Sequence, residues 1–242
     1  MQPRQNIAKS TCEIIEEEVR RLFVNKSPDA LRNMPSREML TSKAVENINS
    51  YYKLGAGDYI QFAFEEDEKR LRIDEPNIIY NSKVHDQDAF IWTFNFIHDY
   101  ENFCRKLPFW TLSLSISKNK ETVFSIVTNP IIDILIFSEK GSGTVNNQRK
   151  VRALSISKEI LYCKSNDLDA PKEFSKFKFL SLNSVSIEII YLSMGIIDFF
   201  IMSYGDYDRY QDCLLIAKEA GIIVEKYDDY LILANEKNFS AL

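Results

Sequence analysis

The chain is 242 residues long, 45% hydrophobic and 12% aromatic, enough for one large domain or two closely packed subdomains with a substantial core. Its formal charge of −5 argues against a basic nucleic-acid footprint, and no apolar run approaches the roughly 18 residues of a membrane span. Four scattered cysteines without a CxxC pair, and an N-terminus without an apolar signal core, fit reduced thiols in a cytoplasmic protein better than a disulfide framework or a zinc site.

Ile7, Ile14, Ile15, Val19, Leu22 and Phe23 recur at helical spacing, which predicts an amphipathic helix over 7–23. A polar, proline-bearing loop follows over 25–36, then a second helix over 42–52, stopped by Gly55 and Gly57. Residues 59–64 alternate as a strand. Residues 67–87 are charged and irregular, with a short strand at 78–80. The middle is rich in β-branched and aromatic runs, which predict strands over 89–94, 110–117, 122–128 and 131–138. Gly141 and Gly143 mark a turn, and 145–151 reads as a hairpin around Asn146-Asn147. Strands are expected at 159–164 and 176–182, helices at 184–194 and 209–220, and a strand at 197–203 between them. Short strands at 222–225 and 230–233 close the chain. The mixture predicts α/β layers.

Common catalytic templates are missing: there is no GxGxxG, GxxxxGK[ST], GxSxG or HExxH. Only His85 and His98 could serve as general bases of the histidine type.

The stretch Asn95-Phe-Ile-His-Asp-Tyr-Glu-Asn-Phe-Cys-Arg-Lys-Leu-Pro-Phe109 resembles the metal-site signature of the inositol monophosphatase family, which reads Asp-Pro-(Ile/Leu)-Asp-Gly-Thr-Thr-Asn-Phe with a proline shortly after. Other segments resemble the family in order and spacing. They are Glu65-Glu66, the run Val127 to Phe137, Glu139 to Gly143 with Asn147-Gln148, Tyr191 to Asp198, Glu219-Ala220-Gly221, and Leu231 to Asn235. The resemblance covers most of the chain from about Ser42 onward.

The resemblance implies a layered α/β/α/β/α sandwich of the inositol monophosphatase and sugar phosphatase type, a single family domain over 1–242 with packed subdomains of about 1–155 and 156–242. It also implies a homodimer. The family's members are Mg²⁺-dependent phosphomonoesterases whose carboxylates hold the cations that activate water. Carried over position by position, Glu65 retains the glutamate ligand. Asn95 replaces the first aspartate, Ile97 offers a backbone carbonyl, and His98 replaces the second aspartate. Asp99 and Tyr100 stand where Gly-Thr would cradle phosphate. Counted back from Glu219, Arg209 takes the distant aspartate's position. Met202 falls where animal enzymes have a sugar-binding glutamate.

Two readings follow. In the first, the chain has lost Mg²⁺-dependent catalysis, needs no cofactor, and acts as a binding or scaffold protein with a protein partner; a bacterial extragenic suppressor relative that works through contacts is the precedent. In the second, a Mg²⁺-dependent phosphomonoesterase acting on inositol phosphate or a related sugar phosphate survives, with Asp208 or Asp206 as substitute ligand, or Asp99 in place of His98. The first reading expects Arg209 to turn its guanidinium into the former metal cleft, beside His98 and against Glu65 or Asp99. Asp99 is also expected to cap the helix that begins at Tyr100.

Overall fold

A computed structural model describes residues 77–81, 90–129, 131–154, 159–240 and 242. The helices expected over 7–23 and 42–52, the loop over 25–36, the strand over 59–64, and Glu65, Glu66 and His85 lie outside the described residues. The chain divides into two compact units, one of Met1–Phe96 and Leu112–Glu121, the other of Ile97–Thr111 and Thr122–Leu242.

In the first unit, β1 (Asn77–Asn81) pairs antiparallel with β2 (Phe90–His98), with Asn77 opposite Asn95 and Ile79 opposite Thr93. β3 (Thr111–Lys118) lies beside β2. β2 runs four residues past its expected end, because β-formers continue through Ile97. It stops where Asp99 takes a left-handed conformation, φ 58° and ψ 49°.

The second unit contains two sheets with helices between them. Strands β4 (Glu121–Asn129), β5 (Ile134–Glu139), β6 (Gly143–Asn146) and β7 (Arg149–Val151) form an antiparallel meander. The strand expected from 131 starts only at Ile134. The reason is Asn129, whose side-chain oxygen accepts the amides of Ile131 and Ile132 and folds 129–132 into a turn. The β6–β7 hairpin turns on Asn147-Gln148 rather than Asn146-Asn147. Both have positive φ, 44° and 68°, as a tight two-residue turn requires, and Asn146 is already paired with Arg149.

The second sheet has the order β11-β12-β10-β8-β9, from β8 (Leu161–Lys164), β9 (Lys178–Phe179), β10 (Phe199–Met202), β11 (Ile222–Lys226) and β12 (Leu231–Asn235). β10 is parallel to β8 and antiparallel to β12. The strand expected over 176–182 shrinks to two residues because a 3-10 turn occupies Lys172–Lys176.

The helices are α1 (Tyr100–Cys104), α2 (Val185–Ser193), α3 (Tyr204–Arg209), α4 (Gln211–Glu219) and α5 (Glu236–Phe239). The single helix expected over 209–220 is in fact two, broken at Tyr210 with φ −109° and ψ 33°. Arg209 therefore ends α3 and does not belong to α4. Helices α2 and α4 pack on each other, α2 against β10 and α4 against β5, β6 and β11. Their shared core joins Val127 and Ile136 of the meander to Phe200, Met202, Leu231 and Leu233 of the second sheet. Phe199, Ile201, Ile232 and Ala234 face the other way into an aromatic cluster with Phe174. Burial on both faces explains why β10 reads as a continuous apolar run. The layered α/β architecture is the one expected.

The motifs that stood out in the sequence act as clamps. The amide nitrogen of Asn102 is shared among the carbonyls of Phe109, Leu182 and Asn183, at 2.8 to 3.2 Å, tying the segment after α1 to the turn that feeds α2. Glu219 accepts the amides of Gly141 and Gly143 at 2.8 and 2.9 Å. Asp198 accepts the Leu161 amide at 2.9 Å, and Asn235 donates to the Ala153 carbonyl at 2.7 Å. Gly195 has φ +72°, and a Cβ there would sit 2.0 Å from the Leu154 carbonyl oxygen.

Candidate functional site: a buried histidine and three acids

The end of β2 delivers His98, and the first turn of α4 delivers Asp212. His98 Nε2 lies 2.8 Å from Asp212 Oδ2, with the two side chains 3% and 2% exposed. The His98 ring stacks on Tyr210, centroids 4.9 Å apart at 29°. Burial pulls the imidazole pKa down, but Asp212, through charge and hydrogen bond, and Asp99 raise it above 6.5 in net. The two carboxylates thus favour the charged form of the ring more than burial disfavours it. The other Asp212 oxygen accepts the Cys213 amide at 2.8 Å.

Asp99 is a second hub. Its carboxylate accepts Ser184 Oγ at 2.7 Å, Ser186 Oγ, the Ser186 amide at 3.3 Å, and Tyr210 Oη at 3.1 Å. Its side chain makes no capping bond to α1. Instead it sits at the N-terminus of α2, where Ser184 is the N-cap, so the expected cap acts on a different helix. The left-handed backbone at Asp99 is one that glycine favours and aspartate tolerates, which suits a position where the resembling signature has Gly.

One turn into α2, Glu188 accepts the Leu182 amide at 2.6 Å. Burial, opposed by that bond and helped by the Asp99 charge, pushes its pKa up to about 7. Burial also raises the Tyr210 hydroxyl, the Cys163 thiol and the Cys213 thiol above their ordinary values. Each of these keeps its proton, so none is an activated nucleophile.

The other expected site residues are placed as follows. Asn95 is buried in the first unit and donates to Ser113 Oγ at 3.1 Å. Ile97 continues β2, and Tyr100 opens α1. Met202 is fully buried in β10. Asp208 is exposed on α3, and Asp206 donates its amide to Oγ of Ser203, the N-cap of α3, while its carboxylate accepts Ser165 Oγ. Arg209 is exposed, its guanidinium carbon 5.3 Å from the Tyr210 ring centroid, and its charge opposes protonation of His98. His98, Asp99 and Arg209 therefore share one neighbourhood around Tyr210.

Five participants went unread in the sequence: Asp212, Tyr210, Ser184, Ser186 and Glu188. One signal was available. Asp212 is four residues before Ile216 on the buried face of α4, and a carboxylate on a core face calls for a buried cation or donors.

His98, Asp212 and Cys213 bring one ligand atom each within 4.8 Å of one another, all buried. The set does not suit Mg²⁺, which wants six oxygens in a near-octahedral shell. The His98 ring holds one Asp212 oxygen, a backbone amide holds the other, and the Asp99 oxygens are taken by two serines and a tyrosine. What the arrangement does chemically is set an imidazole among carboxylates that favour its protonated form.

No family model matches the chain. It is 25% identical over 182 residues to a fructose-1,6-bisphosphatase/inositol-1-monophosphatase of Thermotoga maritima, covering 72% of this chain and 71% of that one. To Nus factor SuhB of Buchnera aphidicola it is 32% identical over 75 residues, 31% of this chain and 28% of the other. Among solved structures, the extragenic suppressor protein suhB of Bartonella henselae superposes with a TM-score of 0.55 over 83% of this chain and 81% of that one, at 19% identity. Among the described residues no helix is long and apolar enough to cross a membrane.

Proposed function

We propose that this chain, which belongs to the inositol monophosphatase family, works as a binding or scaffold protein and not as a Mg²⁺-dependent phosphatase. The observation that carries the reading is the buried His98–Asp212 pair. It supports an imidazolium in the part of the fold where the family resemblance calls for a metal-bound carboxylate. A second positive charge beside that imidazolium would be repelled, and metal activation of water supplies most of the rate in this chemistry. Asp99 adds a carboxylate where the resemblance calls for amides facing phosphate, which disfavours an anionic substrate there. Relatives described as an extragenic suppressor protein and a Nus factor make a contact role the natural one to test.

The test is hydrolysis of inositol monophosphate and of p-nitrophenyl phosphate, with and without millimolar Mg²⁺, alongside a thermal shift. The expected result is background turnover and no saturable shift. Mg²⁺ at 100 times its dissociation constant would raise stability by roughly 2.7 kcal/mol, so binding would be visible. Mg²⁺-dependent turnover that vanished in Asp208→Ala would overturn the proposal in favour of a surviving phosphomonoesterase.

A further inference from the structure

The far end of α2 borders a groove of about 560 Å³, separate from the polar network at its N-terminus. Its walls are the β6–β7 hairpin and Met194, the C-cap of α2. Arg149, Lys150 and Arg152 line it against one carboxylate, Asp133. In a chain of net charge −5 this is a local excess of positive charge. All three cations are exposed, and among the described residues none makes an ion pair or a side-chain hydrogen bond. Cations on an edge strand also discourage strand pairing, but Arg152 lies beyond β7 and contributes nothing to that edge.

The backbone beneath these cations is pinned. Asn146 accepts the Leu135 amide and Asn147 donates to the Asp133 carbonyl, fixing the hairpin tip. Next to Arg152, the Ala153 amide donates to Ala220 and its carbonyl accepts Asn235. Leu154 then abuts Gly195 too closely for any side chain there. Such fixed walls lower the ordering cost of binding. The volume lies within the roughly 300–1,000 Å³ of small-molecule sites.

We propose that this groove binds a small ligand carrying two or more linked phosphate groups. Two guanidinium forks can each take a phosphate bidentately, with the Lys150 ammonium as a third charge. The Met194 and Val151 side chains give an organic remainder an apolar surface.

The experiment is isothermal titration of the full chain with tripolyphosphate, orthophosphate and a polyglutamate peptide, together with acylation of Lys150 followed by mass spectrometry. Expected is saturable binding of tripolyphosphate at least about tenfold tighter than orthophosphate, weakening with salt. Arg149→Gln with Arg152→Gln should weaken it by about tenfold or more at an unchanged melting temperature. Tripolyphosphate should slow Lys150 acylation in the unsubstituted protein, a readout that holds even if the variant fails to fold. No saturation, equal affinity for orthophosphate, polyglutamate binding as tightly, indifference to the double substitution, or unprotected Lys150 would each overturn the proposal.

Discussion

Two ion pairs in this chain have nearly the same length and opposite settings. His98–Asp212 spans 2.8 Å with both side chains buried, and Arg105–Glu101 spans 2.9 Å with both about two-thirds exposed, at 68% and 69%. Distance alone would rank them equal. The difference lies in what remains when one partner is removed: water rehydrates a stranded surface charge, whereas a stranded interior charge keeps its desolvation cost. A buried pair is therefore a commitment of the fold, and once made it excludes other occupants of the same space.

Removing Asp212 should expose the contrast most sharply. Asp212→Ala leaves the imidazolium without its counter-charge and frees the Cys213 amide, at a cost of about 3–5 kcal/mol. For a chain of this size that lowers the melting temperature on the order of 10 °C, measurable by calorimetry. Replacing both partners, as His98→Leu with Asp212→Val, should recover at least half of the loss, since no lone charge remains. If the double variant melted as low as the single, the pair would not be what makes this region fragile.

Gly195→Ala supplies an uncharged loss for comparison. The added methyl would meet the Leu154 carbonyl at 2.0 Å on a backbone of φ +72°, and the enforced shift should cost on the order of 3 kcal/mol. Urea titrations at several pH values should find this loss constant, while that of Asp212→Ala shrinks as pH rises. A Gly195→Ala loss that also varied with pH would show the two ends of α2 to be electrostatically coupled.

The pH dependence has a definite sign. The folded pKa of His98 lies above its ordinary 6.5, so the stability its pair contributes is complete below 6.5 and lost as pH rises through the folded value. Glu188, moved from 4.5 to about 7, holds more protons folded than unfolded between those values, so stability also falls as pH rises through that window. Together they predict a decline that starts near pH 4.5, runs to about 7 with Glu188, and continues as pH rises through the folded value of His98. Glu188→Gln should flatten the lower part of the curve and Asp212→Asn the upper part. A curve rising over this range would contradict both assignments.

The parts of this molecule that could be read in advance are those where a backbone shape demands one residue type. Asn102 must feed three carbonyls, Glu219 must hold two glycine amides, and Gly195 must admit a carbonyl. Each demand is met by one residue type, so the residue stands out in the sequence even though its partners lie far along the chain. The site was less legible because its partners are set by a helix break and by packing. Counting back from Glu219 leads to Arg209, which ends α3 beside Tyr210. It does not reveal that the helix breaks at Tyr210, nor that Asp212, three residues later, turns inward to meet His98. A substitution pattern names which residues differ from the resembling signature; what they pair with depends on His98 meeting a helix residue 114 positions away. The break between the strands at 129–130 was legible, but not that the turn runs on to Asp133, since a side chain competing for backbone amides overrides the β-propensity of Ile131 and Ile132.

The smallest effect belongs to the exposed pair. Arg105 and Glu101 are four residues apart across α1 and its C-cap, with the acid on the N-terminal side, the orientation that suits the helix dipole. Even so, holding two long solvated side chains in one geometry costs rotamer entropy that nearly offsets the attraction. Arg105→Ala should therefore lose only about 0.3–0.5 kcal/mol, a melting shift of roughly 1–2 °C that fades in 1 M salt. The Asp212→Ala loss, screened little in the interior, should keep most of its size in the same salt. If Arg105→Ala instead cost as much as a buried-pair variant and resisted salt, burial would not be what separates the two pairs. The assignment of His98 as the fold's internal cation would then lose its energetic basis.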